Sequence, residues 1–156
     1  MQLSEVLRVL EALEGEDIPT WVGGGWGVDA LAGRQTREHR DLDVLVDRLR
    51  LDDCLRVLED LGYVTETDWL PIRVEVASSL GWVDVHPIAI AADGSAVQAG
   101  PDGSTFDYPA DAFTVATLAG VEIACISRAH QIAFHLGYEP RPQDEHDLRI
   151  LRRIVS

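Results

Sequence analysis

Two carboxylates spaced two residues apart form the pattern in this sequence that points most directly to chemistry. Asp41 and Asp43 lie in the stretch DLDVLV, where polar and apolar residues alternate. Side chains alternate faces along a β-strand, so both carboxylates would share one face while Leu42 and Val44 occupy the other. Mg²⁺ takes oxygen ligands and often keeps phosphate oxygens of a substrate in its shell. The pair therefore predicts a site for metal ions and a nucleoside triphosphate, with a solvent-facing strand as the alternative.

A third carboxylate lies within a second apolar strand, GWVDVHPIAI. Alternation places Asp84 and His86 on one face of this strand. A buried acid is costly unless it is paired or bound to a metal. Asp84 is therefore predicted to join Asp41 and Asp43 as a catalytic residue and metal ligand. The three acids would hold two Mg²⁺ ions, or one ion while one carboxylate serves as a general base.

A run of three glycines precedes the acid pair and joins a short apolar strand to a segment with helical character. Without Cβ atoms, the backbone at Gly24 and Gly25 could approach a phosphate closely, with helix N-terminal N–H groups directed at it. The glycines are contiguous and no Gly-Lys-Ser/Thr follows, so the run is not a Walker loop. A simple reversing turn is the alternative, but the nearby acids favour a nucleotide-binding role.

Between the glycines and the acids lies a polar loop that carries Arg37 and His39. Loop arginines often only neutralise acids, yet these residues are also placed to reach a triphosphate. The chain contains thirteen arginines and no lysine, so any phosphate-binding cation must be an arginine. Arg37 and His39 are therefore predicted nucleotide-binding residues.

The totals indicate a single domain spanning residues 1–156, with 46% apolar residues and a net charge of −14. Such an acidic chain is a poor partner for nucleic acid and could attract cationic small molecules, although solubility alone would explain the charge. The N-terminus lacks the features of a signal peptide and no apolar run is long enough to span a membrane, which predicts a cytoplasmic protein. Cys54 and Cys125 are predicted to be buried free thiols.

These pieces together resemble a known family. A strand, a Gly-Gly turn, a helix, a D-x-D strand and one later Asp form the pattern of the DNA polymerase β-like nucleotidyltransferase superfamily. The sequence is most similar to the small antibiotic nucleotidyltransferases of the lincosamide and aminoglycoside 2''-nucleotidyltransferase group. The matching pieces are GGGWGVDALAG, RQTREHRDLD, WVDVHP and HLGYEPRPQDEHDL. The interval from Gly25 to Asp41 is longer than the minimal superfamily pattern, although it suits this group.

The resemblance implies an α/β (α+β) nucleotidyltransferase fold, with a short mixed sheet flanked by helices and two C-terminal helices. It implies transfer of AMP from ATP to a hydroxyl of a small cationic acceptor, an aminoglycoside or a lincosamide, with substrate contacts from His86, Tyr138 and Asp144. The short C-terminal region further suggests a homodimer, in which a second subunit closes the acceptor side. The alternatives are a nucleotidyltransferase-type partner in a toxin–antitoxin pair and a non-catalytic nucleotide-binding module.

Overall fold

In a computed structural model that describes residues 1–136 and 139–154, helices and strands alternate at first, seven strands then follow, and two helices come last. The five helices in that part of the chain are α1 (Leu3–Gly15), α2 (Gly24–Ala32), α3 (Leu51–Asp60), α4 (Arg128–Phe134) and α5 (Pro142–Arg153). The strands are β1 (Thr20–Val22), β2 (Asp41–Asp47), β3 (Val64–Trp69), β4 (Arg73–Ser78), β5 (Gly81–Ile90), β6 (Ala96–Ala99), β7 (Thr105–Tyr108), β8 (Phe113–Leu118) and β9 (Val121–Ile126). None of the described helices is both long and apolar enough to cross a membrane.

The strands form one mixed sheet in the order β3-β4-β5-β2-β1-β9-β8, and β6 and β7 extend it from β5. The pairs β2–β5 and β1–β9 are parallel, and the remaining pairs are antiparallel. The parallel pair β2–β5 lies at the centre of the sheet, and it carries the acids predicted from the sequence. The predicted α/β class, the mixed sheet and the two C-terminal helices are confirmed.

The two faces of the sheet differ in how fully apolar side chains cover them. On one face, α1 and α3 cover apolar side chains of β2 and β5, including Leu42, Val44, Val83 and Val85, which are all fully buried. On the other face, a smaller cluster around Leu45, Ile88, Tyr108 and Ile126 leaves room for polar groups. The alternation predicted for β2 is therefore confirmed, because its acids and its core residues lie on opposite faces.

Two local features differ from the sequence expectation. β3 was not predicted, because its sequence VTETDW is mostly polar and most of its residues are exposed. It is an edge strand that needs only β4 as a partner. A serine at a helix N-cap usually accepts a hydrogen bond from a backbone N–H. Ser127 stands at the N-cap of α4, but its hydroxyl contacts Nδ1 of His130 at 3.1 Å instead.

Both cysteines are buried and free, as predicted. Burial raises the pKa of the Cys54 thiol to about 12 and that of Cys125 to about 11. Thiols held in their neutral form are poor nucleophiles and poor metal ligands. The cysteines therefore belong to the core and take no part in the candidate site.

Candidate active site

The acid cluster forms where the parallel strands β2 and β5 lie side by side. Their register puts Asp43 opposite Asp84. One ligand atom from each of Asp43, Asp84 and His86 lies within 4.8 Å of the others. Because all three side chains project from one face of a hydrogen-bonded sheet, the backbone largely sets their spacing. The structure thus brings together the two acids that the sequence predicts on neighbouring strands, and it adds His86 to them.

Asp41 lines the same cavity but does not belong to this tight group. Its carboxylate is 37% exposed, and one oxygen lies 3.9 Å from Nε of Arg40. Partial burial raises the pKa of Asp41 above its ordinary value, and the nearby charge of Asp43 raises it further. A carboxylate in such surroundings would gain stability from an added cation.

Asp84 is the most buried of the three acids, with 7% of its surface exposed. Arg73, on the adjacent strand β4, donates a short hydrogen bond to its Oδ2. The other oxygen, Oδ1, is buried and accepts no hydrogen bond from the described residues. Burial raises the pKa of Asp84, and the Asp43 charge adds to this rise while His86 and Arg73 oppose it. A buried oxygen without a partner is costly, so this atom is open to a cation or a proton.

These atoms fit a divalent cation. Asp43 and Asp84 offer the hard oxygen ligands that Mg²⁺ prefers, and Oδ1 of Asp84 is available for one more bond. The remaining positions around such an ion would be open to phosphate oxygens or water, which is the usual arrangement for Mg²⁺ in phosphoryl-transfer sites.

The glycine turn borders the acids directly. Gly24 is the first residue of α2 and has φ of +53°, in the left-handed region that favours glycine. A Cβ at Gly24 would overlap Oδ2 of Asp43, and a Cβ at Gly25 would overlap the side chains of His39 and Arg37. The glycines were predicted to make room for a phosphate. In the structure they already make room for the side chains that surround the site.

The polar loop before β2 is fixed by buried partners. Nε2 of His39 lies 2.5 Å from Oδ2 of Asp29, which is fully buried, and the ring packs on Trp26 with centroids 4.5 Å apart. Arg37 makes a two-bond ion pair with Asp147 of α5, at 2.8 and 2.6 Å. Both predicted nucleotide-binding side chains therefore line the cavity while they are held by protein carboxylates.

A chain of hydrogen-bonding contacts supports the acid cluster from the β6–β7 side. Nε2 of His86 lies 3.2 Å from Oδ1 of Asp43, and its Nδ1 lies 3.1 Å from Nε2 of Gln98. The hydroxyl of Tyr108 donates to Oε1 of Gln98 at 2.7 Å. Gln98 and Tyr108 are buried, so they limit how far His86, and through it Asp43, can turn.

Another part of the cavity wall comes from α4 and α5. Asp144 is 4% exposed, and it accepts hydrogen bonds from the backbone N–H and Nε of Arg141 at 2.8 and 3.0 Å. Asp147 is held by Arg37, as described above. The predicted acceptor-binding residue Tyr138 lies outside the described residues. The acids of this wall are thus already engaged by arginines.

The cavity between these walls has a volume of about 1160 Å³. Ligand pockets commonly span about 300 to 1,000 Å³, so this one has space for more than a single small molecule. The acids, the glycine turn and residues of α4 and α5 all line it, and Nε2 of Gln131 in α4 donates to the carbonyl oxygen of Gly24 at 3.4 Å. A nucleotide and a second substrate could both be accommodated.

Four lining or supporting residues were not found by sequence reasoning: Asp29, Arg73, Gln98 and Tyr108. Asp29 carried a usable signal, because it is a lone acid in the apolar helical segment GWGVDALA. Arg73, Gln98 and Tyr108 carried none, because each acts through a partner on another strand.

The sequence of this chain is similar to those of known proteins. The family model described as aminoglycoside-2''-adenylyltransferase matches residues 5–151. A lincosamide resistance protein of Staphylococcus haemolyticus is 38% identical over 152 residues, covering 97% of this chain and 94% of the relative. A 2''-aminoglycoside nucleotidyltransferase of Klebsiella pneumoniae is 32% identical over 104 residues, covering 66% of this chain and 58% of the relative.

Solved structures give the same result for the fold. The crystal structure of the lincosamide antibiotic adenylyltransferase LnuA, bound to lincomycin, superposes with a TM-score of 0.91 at 36% identity, covering 99% of both chains. The crystal structure of ANT(2'')-Ia in complex with adenylyl-2''-tobramycin gives a TM-score of 0.75 at 21% identity, covering 95% of this chain and 86% of that one. The second match supports the fold alone.

Proposed function

The chain belongs to the aminoglycoside-2''-adenylyltransferase family of antibiotic nucleotidyltransferases, and we propose that it transfers AMP from ATP to a hydroxyl group of a small antibiotic. The observation that carries this proposal is the meeting of Asp43 and Asp84 beside the Gly24 turn in one large cavity. In the reaction, the acceptor oxygen forms a bond to the α-phosphorus, the bond from that phosphorus to the bridging oxygen breaks, and pyrophosphate leaves.

We assign the metal and base roles to the three acids. Asp41, Asp43 and Asp84 would hold Mg²⁺, with two ions as the expected number. When bound, the metal would supply neutralisation of the charge on the triphosphate and on the leaving pyrophosphate. An alcohol is a weak nucleophile, so the acceptor hydroxyl needs a carboxylate to take its proton. Asp84 suits this task, because it is buried and its raised pKa makes it a stronger base than an exposed aspartate.

The nucleotide would lie on the side of the glycine turn. Gly24 and Gly25 leave the backbone open there, and Arg37 and His39 line the same part of the cavity. Arg37 is neutralised by Asp147 in the structure, so it would contribute direction and hydrogen bonds more than net charge. His39 is held by Asp29, which leaves its Nδ1 on the Gly25 side for a ligand.

The acceptor that fits best is a lincosamide-like molecule with many hydroxyl groups and little positive charge. Among the carboxylates that line the cavity, Asp84, Asp144, Asp147 and Glu75 each contact an arginine. An aminoglycoside with several amines would have to displace those arginines to pair with these four carboxylates. The 38% identity to the lincosamide resistance protein over nearly the whole chain supports the same preference. His86, Asp144 and Tyr138 stay our candidates for acceptor contacts.

The test is a mass-spectrometric assay with ATP, Mg²⁺ and either lincomycin or tobramycin. We expect lincomycin to gain the mass of one AMP, with release of pyrophosphate, and a chelator to stop the reaction. Asp84→Asn should retain ATP binding better than turnover, because it removes the base and keeps the shape. Modification of tobramycin but not of lincomycin would overturn the acceptor class. Absence of any modified acceptor would favour a non-catalytic module or a toxin–antitoxin partner, which the family match does not favour.

We also propose a cytoplasmic location, because the reaction needs ATP. A homodimer in which a second copy covers the acceptor side is also proposed, because the helices that follow β9 in the described chain, α4 and α5, are short. Light scattering that gives the mass of one chain at working concentration would contradict the dimer.

A further inference from the structure

Arg73 contacts the carboxylate of Asp84, which is the proposed metal ligand and general base. Its Nη1 donates to Oδ2 of Asp84, whose side chain is 9% exposed. Its guanidinium also stacks on the ring of Trp69, 4.6 Å from the centroid. The stack and the ion pair hold the guanidinium of Arg73 beside the buried carboxylate of Asp84. The family match and the sequence pattern give this arginine no role.

Arg73 also has a second carboxylate within reach. The same Nη1 lies 3.9 Å from Oε2 of Glu75, two residues further along β4. Glu75 opposes Asp84 in the sheet register, so a small rotation of the arginine would exchange one partner for the other. Glu75 already accepts a bond from Arg40 at 2.9 Å, which leaves lone pairs for a second donor.

A guanidinium and a divalent cation compete for the same carboxylate. Each needs the lone pairs of Asp84, and a guanidinium has no acceptor atom through which it could join the coordination shell of a metal. Two cations at hydrogen-bond distance from one oxygen would also repel each other. A metal could bond the free Oδ1 of Asp84 while Arg73 keeps Oδ2. Coordination through both oxygens, or a second ion on Oδ2, requires Arg73 to move.

We propose that Arg73 is a built-in counter-ion that occupies Asp84 in the resting enzyme and moves to Glu75 when a divalent cation binds. It keeps Asp84 charged and correctly turned while the site lacks metal. It also lowers the affinity of the site for a metal ion until a bound triphosphate adds negative charge. Arg73 is thus a positioning residue for Asp84. This inference rests on the metal role proposed for the acids, but not on the identity of the acceptor.

Mn²⁺ binding to the protein without nucleotide tests the competition directly. The bound fraction is measured by electron paramagnetic resonance at pH 8, where the carboxylates are charged. Arg73→Met should bind Mn²⁺ about tenfold more tightly, which corresponds to the loss of one competing charge-assisted hydrogen bond. Arg56→Met is the matched control, because it removes the same charge from an exposed pair with Asp53 that is remote from the site. Its Mn²⁺ affinity should change much less.

Two further variants separate competition from damage. In an Asp84→Asn background, Arg73→Met should give no gain in Mn²⁺ affinity, because the contested carboxylate is absent. Arg73→Gln repeats the test if the methionine variant loses its cooperative thermal transition. Equal or weaker Mn²⁺ binding by the folded Arg73 variants, relative to Arg56→Met, would overturn the proposal. Because no acceptor or turnover enters this measurement, its failure is distinguishable from failure of the proposed transfer reaction.

Discussion

The two walls of the cavity are built on different principles. The strand wall, made of Asp41, Asp43, Asp84 and the Gly24 turn, owes its shape to the backbone of adjacent strands. The helix wall, made of α4 and α5, is connected to the rest of the site by side-chain pairs such as Arg37–Asp147, whose partners are 110 residues apart. The strand wall resembles a fixed template, whereas the helix wall depends on charge pairs that a substrate could rearrange. Substitutions in the strand wall should therefore chiefly affect catalysis, and substitutions in the helix wall should chiefly affect stability.

The largest expected effect comes from Asp43→Asn in the strand wall. The side chain keeps its size, but a negative charge is removed from a step that depends on electrostatic stabilisation. We expect kcat to fall by about 100-fold or more, with an unchanged thermal transition. Asp107→Asn, an exposed aspartate of β7, is the control and should retain full activity. Near-normal turnover by Asp43→Asn would show that the acid strands do not carry the chemistry.

Gly24→Ala should give the next largest effect. The new Cβ would overlap the Asp43 carboxylate, and the positive φ of this residue adds backbone strain. We expect the KM for ATP to rise about tenfold or more, because the acid and the turn must both shift. Gly15→Ala is the matched control, since nothing lies within 4 Å of its Cβ position. A folded Gly24→Ala protein with unchanged ATP affinity would show that Gly24 only forms a turn and has no role in nucleotide binding.

Arg37→Met tests the helix wall. Asp147, whose side chain is 3% exposed, would lose both hydrogen bonds and keep a buried charge. We expect a loss of about 2 kcal/mol in the free energy of unfolding, which for a chain of this size lowers the Tm by about 5 °C. The KM for ATP should rise only a few-fold, since the acid strands stay in place.

The control for this change is Arg56→Met, which breaks an exposed pair and should shift the Tm by no more than about 1 °C. Adding Asp147→Asn to Arg37→Met should recover part of the lost stability, because the uncompensated charge is then removed. A drop in kcat as large as that of Asp43→Asn would contradict the distinction between the two walls.

The same contrast explains what the sequence could predict. Alternation in β2 and β5 is a local pattern, so the shared face of Asp41 and Asp43 and the buried position of Asp84 were predictable without coordinates. The tight grouping of Asp43, Asp84 and His86, with Asp41 slightly apart, was not, because it depends on the parallel register of β2 and β5.

The helix wall was less predictable. The presence of two C-terminal helices follows from apolar spacing and from proline and glycine positions. The partner of Arg37 cannot be predicted in this way, because an ion pair between residues 110 positions apart produces no repeating pattern in the sequence. A polar loop followed by acids suggested that Arg37 reaches a triphosphate, whereas the structure gives it a carboxylate partner as well.

The smallest expected effect is on stability, and it comes from Asp41→Asn. The pKa of Asp41 is raised, chiefly by burial, so the folded protein binds this proton more tightly than the unfolded chain does. The ionised carboxylate therefore destabilises the fold at pH values above its raised pKa, and this cost disappears below the ordinary pKa of aspartate. Asparagine resembles the neutral form. The substitution should thus raise the Tm at pH 8, by only about 1–2 °C because water screens a side chain that is 37% exposed.

Thermal scans of both proteins from pH 8 down to pH 3 check the sign of this effect. The advantage of Asp41→Asn should shrink as the pH falls through the raised pKa of the wild-type residue, and the two Tm values should converge once Asp41 is protonated in both states. At pH 8 the variant should be more stable and yet less active, because it lacks a charge that the proposed cation would need. A lower Tm at pH 8 would mean that Asp41 is stabilised by Arg40 more than it is penalised by burial and by its neighbour.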